Sequence, residues 1–246
     1  GLALLLKPDG TVAPLWLPAL TASSLRQQLV GHDEASAATS YLGAYDEWRQ
    51  NQRDDSCRDR WFTALDTTTR WLWTVLMGPL VAALAPADRA TLIPVGVLGL
   101  LPLHAAWVED VTQPTGRCYG LDRLMLTYAP NARGLIAAQA IATRQIPETL
   151  LAIADPQPVK AAALDYAESE VAVAAAVLPM HQVLSHGDAT RDRVWALLPD
   201  YTVLHCCCHG YVNWAEPLES GLLMAGDKIL SLGDVLELRL TGARLA

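Results

Sequence analysis

Three adjacent cysteines, Cys206, Cys207 and Cys208, stand between His205 and His209 in the run VLHCCCHG, and Gly210 closes it. Thiols and imidazoles this close could hold a metal, form a redox pair, or supply a nucleophile with its base. Spacing separates these uses. On an extended strand, 203, 205, 207 and 209 share one face and 204, 206 and 208 the other, with same-face neighbours about 7 Å apart along the chain. Zinc ligands all sit about 2.0–2.3 Å from one ion, so an extended His205-x-Cys207-x-His209 is by itself a poor cage. A helix would bring His205 and His209 to i and i+4, but the glutamate that follows the first histidine of such zinc pairs is Cys206 here. A redox pair needs Cys-x-x-Cys at a helix start, whereas these thiols are contiguous and follow Tyr201 and Val203, which favour strand. No metal and no cofactor is expected. The three cysteines read as small buried side chains filling a strand. His209 differs by position: it ends an apolar strand, at the edge where open α/β sheets place their sites, and Gly210 lets a backbone N–H come close to a ligand.

The surrounding chain supplies such a sheet. Its 246 residues, 52% hydrophobic and 18% charged, suit one large globular α/β domain, alone or with an appended segment. The opening LALLLKPDGTVAPLWL reads as a β-hairpin turned at Pro8-Asp9-Gly10. From Thr21 to about Ala85 apolar residues recur at three or four positions, a helical pattern broken by the charged stretch Arg49–Asp59. After Pro86, short apolar runs alternate with helix-like segments, the pattern of a parallel sheet. Strands are expected at 90–96, 121–128, 149–155, 182–187 and 201–210, a helix at 167–178, a hairpin at 221–230, and a further strand beginning in GARLA. Asp188 or Thr190 is expected to cap the helix TRDRVWALL, and Ser231 the helix SLGDVLEL.

A net charge of −8 and a pI near 5.1 repel phosphate backbones and anionic lipid, so no nucleic-acid or membrane partner is expected. The longest uncharged run, LIPVGVLGLLPLHAAW (92–107), falls short of the roughly 20 residues that span a bilayer. Five cysteines, three of them adjacent, form no disulfide framework and point to a reducing, cytoplasmic setting. Gly1 at the start and an apolar run opening at the end suggest a piece of a longer protein.

Several segments, in order, resemble the CHAT domains, caspase-like domains of the caspase and separase clan that commonly follow tetratricopeptide repeats. They are LIPVGVLGLLPLHAAW, LTYAPNARGL (126–135), LLAIADP with AESEVAVAAAVLP (167–179), LHCCCHG (204–210), AEPLESGLLMAG (215–226) and LSLGDVLELRLTGARLA (230–246). Asn131 stands where the family often has serine. The resemblance implies a three-layer α/β/α sandwich with a mostly parallel sheet. A hairpin and helical lead-in would occupy 1–88, and a caspase-like domain incomplete at its C-terminus would occupy 89–246. It also implies a cysteine endopeptidase in which His209 is the catalytic histidine, Gly210 gives an oxyanion-binding N–H, and His205 is structural. The segment after the first sheet strand, loosely 155–168, would help build the pocket for the residue before the cleaved bond, with Asp165 facing a basic side chain. Caspases place the histidine about 50 residues before the cysteine, so the nucleophile is expected beyond Ala246 and this chain alone to be inactive. Partners implied are a peptide or protein substrate and upstream repeats or a regulatory protein. The alternative is a non-catalytic interaction module of the same family.

Overall fold

Turn and cap chemistry places the first elements. Asp9 Oδ1 accepts the Thr11 N–H at 2.8 Å and Gly10 takes φ 83°, a conformation open to glycine. β1 (Leu2–Leu6) therefore folds back on β2 (Val12–Trp16). Thr21, Asp33, Ser40 and Asp54 each accept a first-turn N–H of α1 (Ala22–Val30), α2 (Glu34–Thr39), α3 (Tyr41–Gln50) and α4 (Asp55–Leu72), meeting donors that a helix leaves without partners. The break between α3 and α4 falls inside the charged stretch that the sequence marks. A π-helical turn, Trp73–Met77, joins α4 to α5 (Gly78–Leu84).

This computed structural model describes residues 1–144, 146–178 and 180–243 and divides into two units, Gly1–Asn131 and Ala132–Ala246. The first unit continues with β3 (Arg89–Leu92), the hairpin of β4 (Trp107–Glu109) and β5 (Arg117–Tyr119), α6 (Gly120–Arg123), and β6 (Met125–Tyr128), which pairs parallel with β3. The strand expected over 90–96 stops short of Pro94, which has no N–H for a ladder. The strand expected over 121–128 is half helix, because the Asp122 carboxylate accepts the Tyr119 N–H at 2.7 Å and starts a turn.

The second unit runs α7 (Ala132–Arg144), β7 (Thr149–Ala154), α8 (Ala167–Val177), β8 (Met180–Ser185), α9 (Arg191–Leu197), β9 (Val203–Cys207), β10 (Gly210–Tyr211), β11 (Gly221–Met224), β12 (Lys228–Ser231) and α10 (Leu232–Glu237). Strands β8-β7-β9 are parallel, with β7 in the middle, and β10-β11-β12 form an antiparallel sheet. Leu150 to Ala154 are all buried, which is why the segment reads as an unbroken apolar run. Leu150, Ala152, Ala154, Val203 and Cys207 pack with Ala167, Val171 and Ala175 of α8. Leu151, Ile153, Leu184 and Leu204 pack with Val194 of α9 and with Met224 and Leu230. Helices thus cover both faces of a parallel sheet, the α/β sandwich that the sequence predicts. Thr190 caps α9 and Ser231 caps α10. Of the strand expected at the end of the chain, Arg244–Ala246 lie outside the described residues. Among the described residues, no helix is long and apolar enough to cross a membrane.

The starts of β7 and β9 are tied by a reciprocal pair. Thr202 Oγ1 accepts the N–H groups of Glu148 and Thr149 at 2.9 and 3.0 Å and donates to the Thr149 carbonyl at 3.1 Å, while the Thr202 N–H donates to Thr149 Oγ1 at 3.0 Å. Thr202 is only 8% exposed, so water does not readily replace its hydroxyl. Thr202→Val is expected to lower the unfolding free energy by about 1–3 kcal/mol through the donors left without an acceptor. Thr202→Ser should stay within about 1 kcal/mol, having lost one methyl. Urea unfolding of the three proteins checks both.

Candidate active site

β9 carries the chemistry to its place. Its ladder on β7 runs from Leu150–Val203 to Ala154–Cys207, and the Asp155 N–H donates to the Cys207 carbonyl at 2.9 Å. There the strand ends, and three residues later Gly210 enters the antiparallel sheet opposite Leu222. His209, half-buried, therefore stands where the chain passes from one sheet to the other. Its carbonyl accepts the Leu223 N–H at 2.8 Å, and its Nε2 lies 2.7 Å from the Ala162 carbonyl. A carbonyl oxygen only accepts, so Nε2 carries a proton, and in the neutral form of the ring the lone pair falls to Nδ1.

Gly210 has a second property. Paired residues in an antiparallel ladder alternate between exchanging both N–H···O bonds and exchanging none. The bond from Leu223 to His209 makes 209 and 223 a bonded pair, so 210 and 222 are a non-bonded pair. The Gly210 N–H is thus not spent on Leu222. A Cβ built on Gly210 would meet nothing within 4 Å, so the fold itself does not demand glycine here.

Asp165 lies in the loop between β7 and α8, the loop whose Ala162 carbonyl receives His209. The segment that the resemblance links to substrate selection and the histidine that it links to catalysis therefore meet through the backbone. Asp165 is exposed and makes no hydrogen bond or ion pair with another described residue. His205 stays within β9, paired with Ala152, and its Nε2 is 3.3 Å from Cys207 Sγ and 3.4 Å from Glu170 Oε1.

The three cysteines are not equally buried. Cys207 is buried and Cys208 partly so, but Cys206 is exposed, against the expectation that all three fill the strand. β9 is an edge strand of its sheet among the described residues, and an edge strand leaves one flank uncovered. Burial, with a smaller contribution from a hydrogen bond to Glu170, pushes the Cys207 thiol up to about 11. Burial first, then Cys206 and Cys207, pushes Cys208 to about 12. At neutral pH both are thiols, not the thiolates that attack.

Sequence reasoning missed the contact with Ala162, because a backbone carbonyl leaves no mark in residue type. It also missed a polar group at the end of β7. Asp155 is 5% exposed with φ 42°, and its Oδ1 accepts from Gln157 Nε2 at 3.1 Å. His186 Nδ1 donates to the Asp155 carbonyl at 3.2 Å, and Nε2 of the same ring lies 3.0 Å from Glu168 Oε1. The one available signal was an aspartate ending an otherwise apolar strand.

A thiol pushed up to about 11 has about 100-fold less thiolate near neutrality than an ordinary one, and the greater nucleophilicity of that thiolate restores roughly 10-fold. Alkylation of Cys207 by iodoacetamide at pH 7.5, followed by peptide mass spectrometry, is therefore expected to be at least about 10-fold slower in the native protein than in urea. The native rate should climb with pH until about 11.

A family model, the CHAT domain, matches residues 66–246. Comparison with curated proteins returned no match.

Proposed function

We propose, from the premise that the chain belongs to the CHAT domain family, that His209 is the general base and acid of a cysteine endopeptidase. CHAT domains are caspase-like, peptidase-related domains. The observation that carries the proposal is the bond from His209 Nε2 to the Ala162 carbonyl. It fixes the ring's tautomer and orientation, the part that a carboxylate plays in other triads, and leaves Nδ1 as the nitrogen that can take a thiol proton.

The steps follow. The thiol of a cysteine gives its proton to His209 Nδ1, and the thiolate attacks the scissile carbonyl. The Gly210 N–H, which the β10–β11 ladder does not use, donates to the oxyanion that forms. The imidazolium returns the proton to the leaving amine, and water, deprotonated by the same nitrogen, releases the acyl group from sulfur. Cys206, Cys207 and Cys208 do not supply the nucleophile, since the first two lie on the strand that leads to His209 and Cys208 is its chain neighbour, and Cys57 and Cys118 are buried in the other unit. The nucleophile in this reading is a cysteine outside these 246 residues, on a strand laid along the free edge of β9. Asp165, exposed and unpaired three residues from Ala162, binds a lysine or arginine side chain just before the cleaved bond.

The test uses the full-length protein carrying that cysteine, with its regulatory partner where one is required. It should cleave peptides with Arg or Lys before the bond and react with an acyloxymethyl-ketone probe. His209→Ala should lower kcat/KM by about 10²–10⁴. Asp165→Asn should remove the preference for basic residues while sparing turnover of other peptides. The 246-residue chain alone should cleave nothing. If the full-length protein neither cleaves nor reacts, the endopeptidase reading fails, and the non-catalytic interaction module of the same family takes its place.

A further inference from the structure

Outside the catalytic reading, one cluster of metal-binding side chains is drawn together from two elements. Glu170 on α8 and His205 and Cys207 on β9 each offer one ligand atom, and these atoms all lie within 4.8 Å of one another. His205 Nε2 is 3.3 Å from Cys207 Sγ and 3.4 Å from Glu170 Oε1. Ligands held tetrahedrally at 2.0–2.3 Å from one ion stand roughly 3.3–3.6 Å apart, so these separations are those of neighbours in one coordination shell.

Two other uses of the cluster fit less well. A nucleophilic triad needs the two ring nitrogens to face different partners, but here a single nitrogen faces both the sulfur and the carboxylate. A hydrogen-bond network accounts for the contact of the Cys207 thiol with Glu170, but it leaves the single Nε2 of His205 between the sulfur and the carboxylate, where it serves one partner well and not two. A cation placed among the three atoms serves all of them. We propose that Glu170, His205 and Cys207 bind one zinc-class divalent cation, with water in the fourth position, and that the ion clasps α8 to β9 two residues before His209. Sulfur, imidazole and one carboxylate oxygen form a borderline-soft set that suits zinc, whereas magnesium and calcium take oxygen ligands. Burial grades across the site: Cys207 is buried, the His205 side chain is 31% exposed and that of Glu170 62%. The ion can therefore enter from the Glu170 side, and the open position faces water.

The site uses no residue of the proposed catalytic set, so the two proposals can fail separately. The test is direct titration of the chelator-treated 246-residue chain with Zn(II) and, as a spectroscopic stand-in, Co(II). One equivalent of zinc should bind and raise the melting temperature. The cobalt form should show thiolate-to-metal charge transfer and the intense visible bands of a tetrahedral site. Glu170→Gln, at an exposed helix position where misfolding is not expected, and Cys207→Ala should each weaken zinc binding at least about 10-fold, as even outer partners of metal ligands can. His209→Ala should leave it unchanged. The proposal is overturned if no zinc binds, if both variants bind as the parent does, if His209→Ala abolishes binding, or if the cobalt spectrum lacks the thiolate band.

Discussion

The register of β9 against β7 is the constraint on which the rest of the second unit depends. It is pinned at one end by the exchange of hydrogen bonds between Thr149 and Thr202 and at the other by the Asp155 N–H on the Cys207 carbonyl. A slip of one residue would turn every side chain of β9 to the opposite face. Val203 and Cys207 would leave α8, Leu204 would leave the α9 side, and His209 would shift by about 3.3 Å along the strand. Neither the core nor the site survives that change, so the packing that stabilises the sheet is also what aims the histidine.

What happens past Cys207 depends on where the ladder stops. β7 has no further strand residue to offer, and Asp155 takes φ 42°, turning the chain into the loop that carries Ala162 and Asp165. That loop returns over the end of β9, and its carbonyl orients the His209 ring. On the other side the chain enters β10, where the alternation of the antiparallel ladder leaves the Gly210 N–H without a strand partner. Two backbone features, a carbonyl from one loop and an amide from one ladder position, thus flank a single imidazole.

Much of this was legible in the sequence. β7 reads as an unbroken apolar run, β9 as a strand from Tyr201, Val203 and the contiguous thiols, 221–230 as a hairpin, and Asp188 or Thr190 and Ser231 as caps by their place before helices, of which Thr190 and Ser231 do cap. What was not legible lay in contacts between distant segments. Cys206 is exposed because β9 is an edge strand, and edge position depends on how strands are ordered rather than on the strand's own residues. Backbone spacing, about 7 Å between alternate residues, speaks against a metal on β9. Ligand atoms are what coordinate, and the imidazole of His205 leans along the strand to within 3.3 Å of Cys207 Sγ. Glu170 could not be foreseen as their neighbour, since it belongs to a helix thirty-odd positions earlier that the fold lays against the same face.

His205 and His209 show how far environment divides identical side chains. Both lie on one face of the ideal strand, four positions apart. His205 is still inside the ladder, where the α8 face hands its Nε2 a thiol and a carboxylate, and where burial keeps that thiol protonated near neutral pH without a metal. His209 is past the last ladder bond, where its Nε2 meets a neutral carbonyl and its other nitrogen has no hydrogen-bond partner among the described residues. A general base needs that free nitrogen more than it needs a charged partner, and a backbone carbonyl supplies orientation without an extra ionisable group. The raised thiols beside it fit the proposed reading, in which neither Cys207 nor Cys208 would offer a competing thiolate to the substrate.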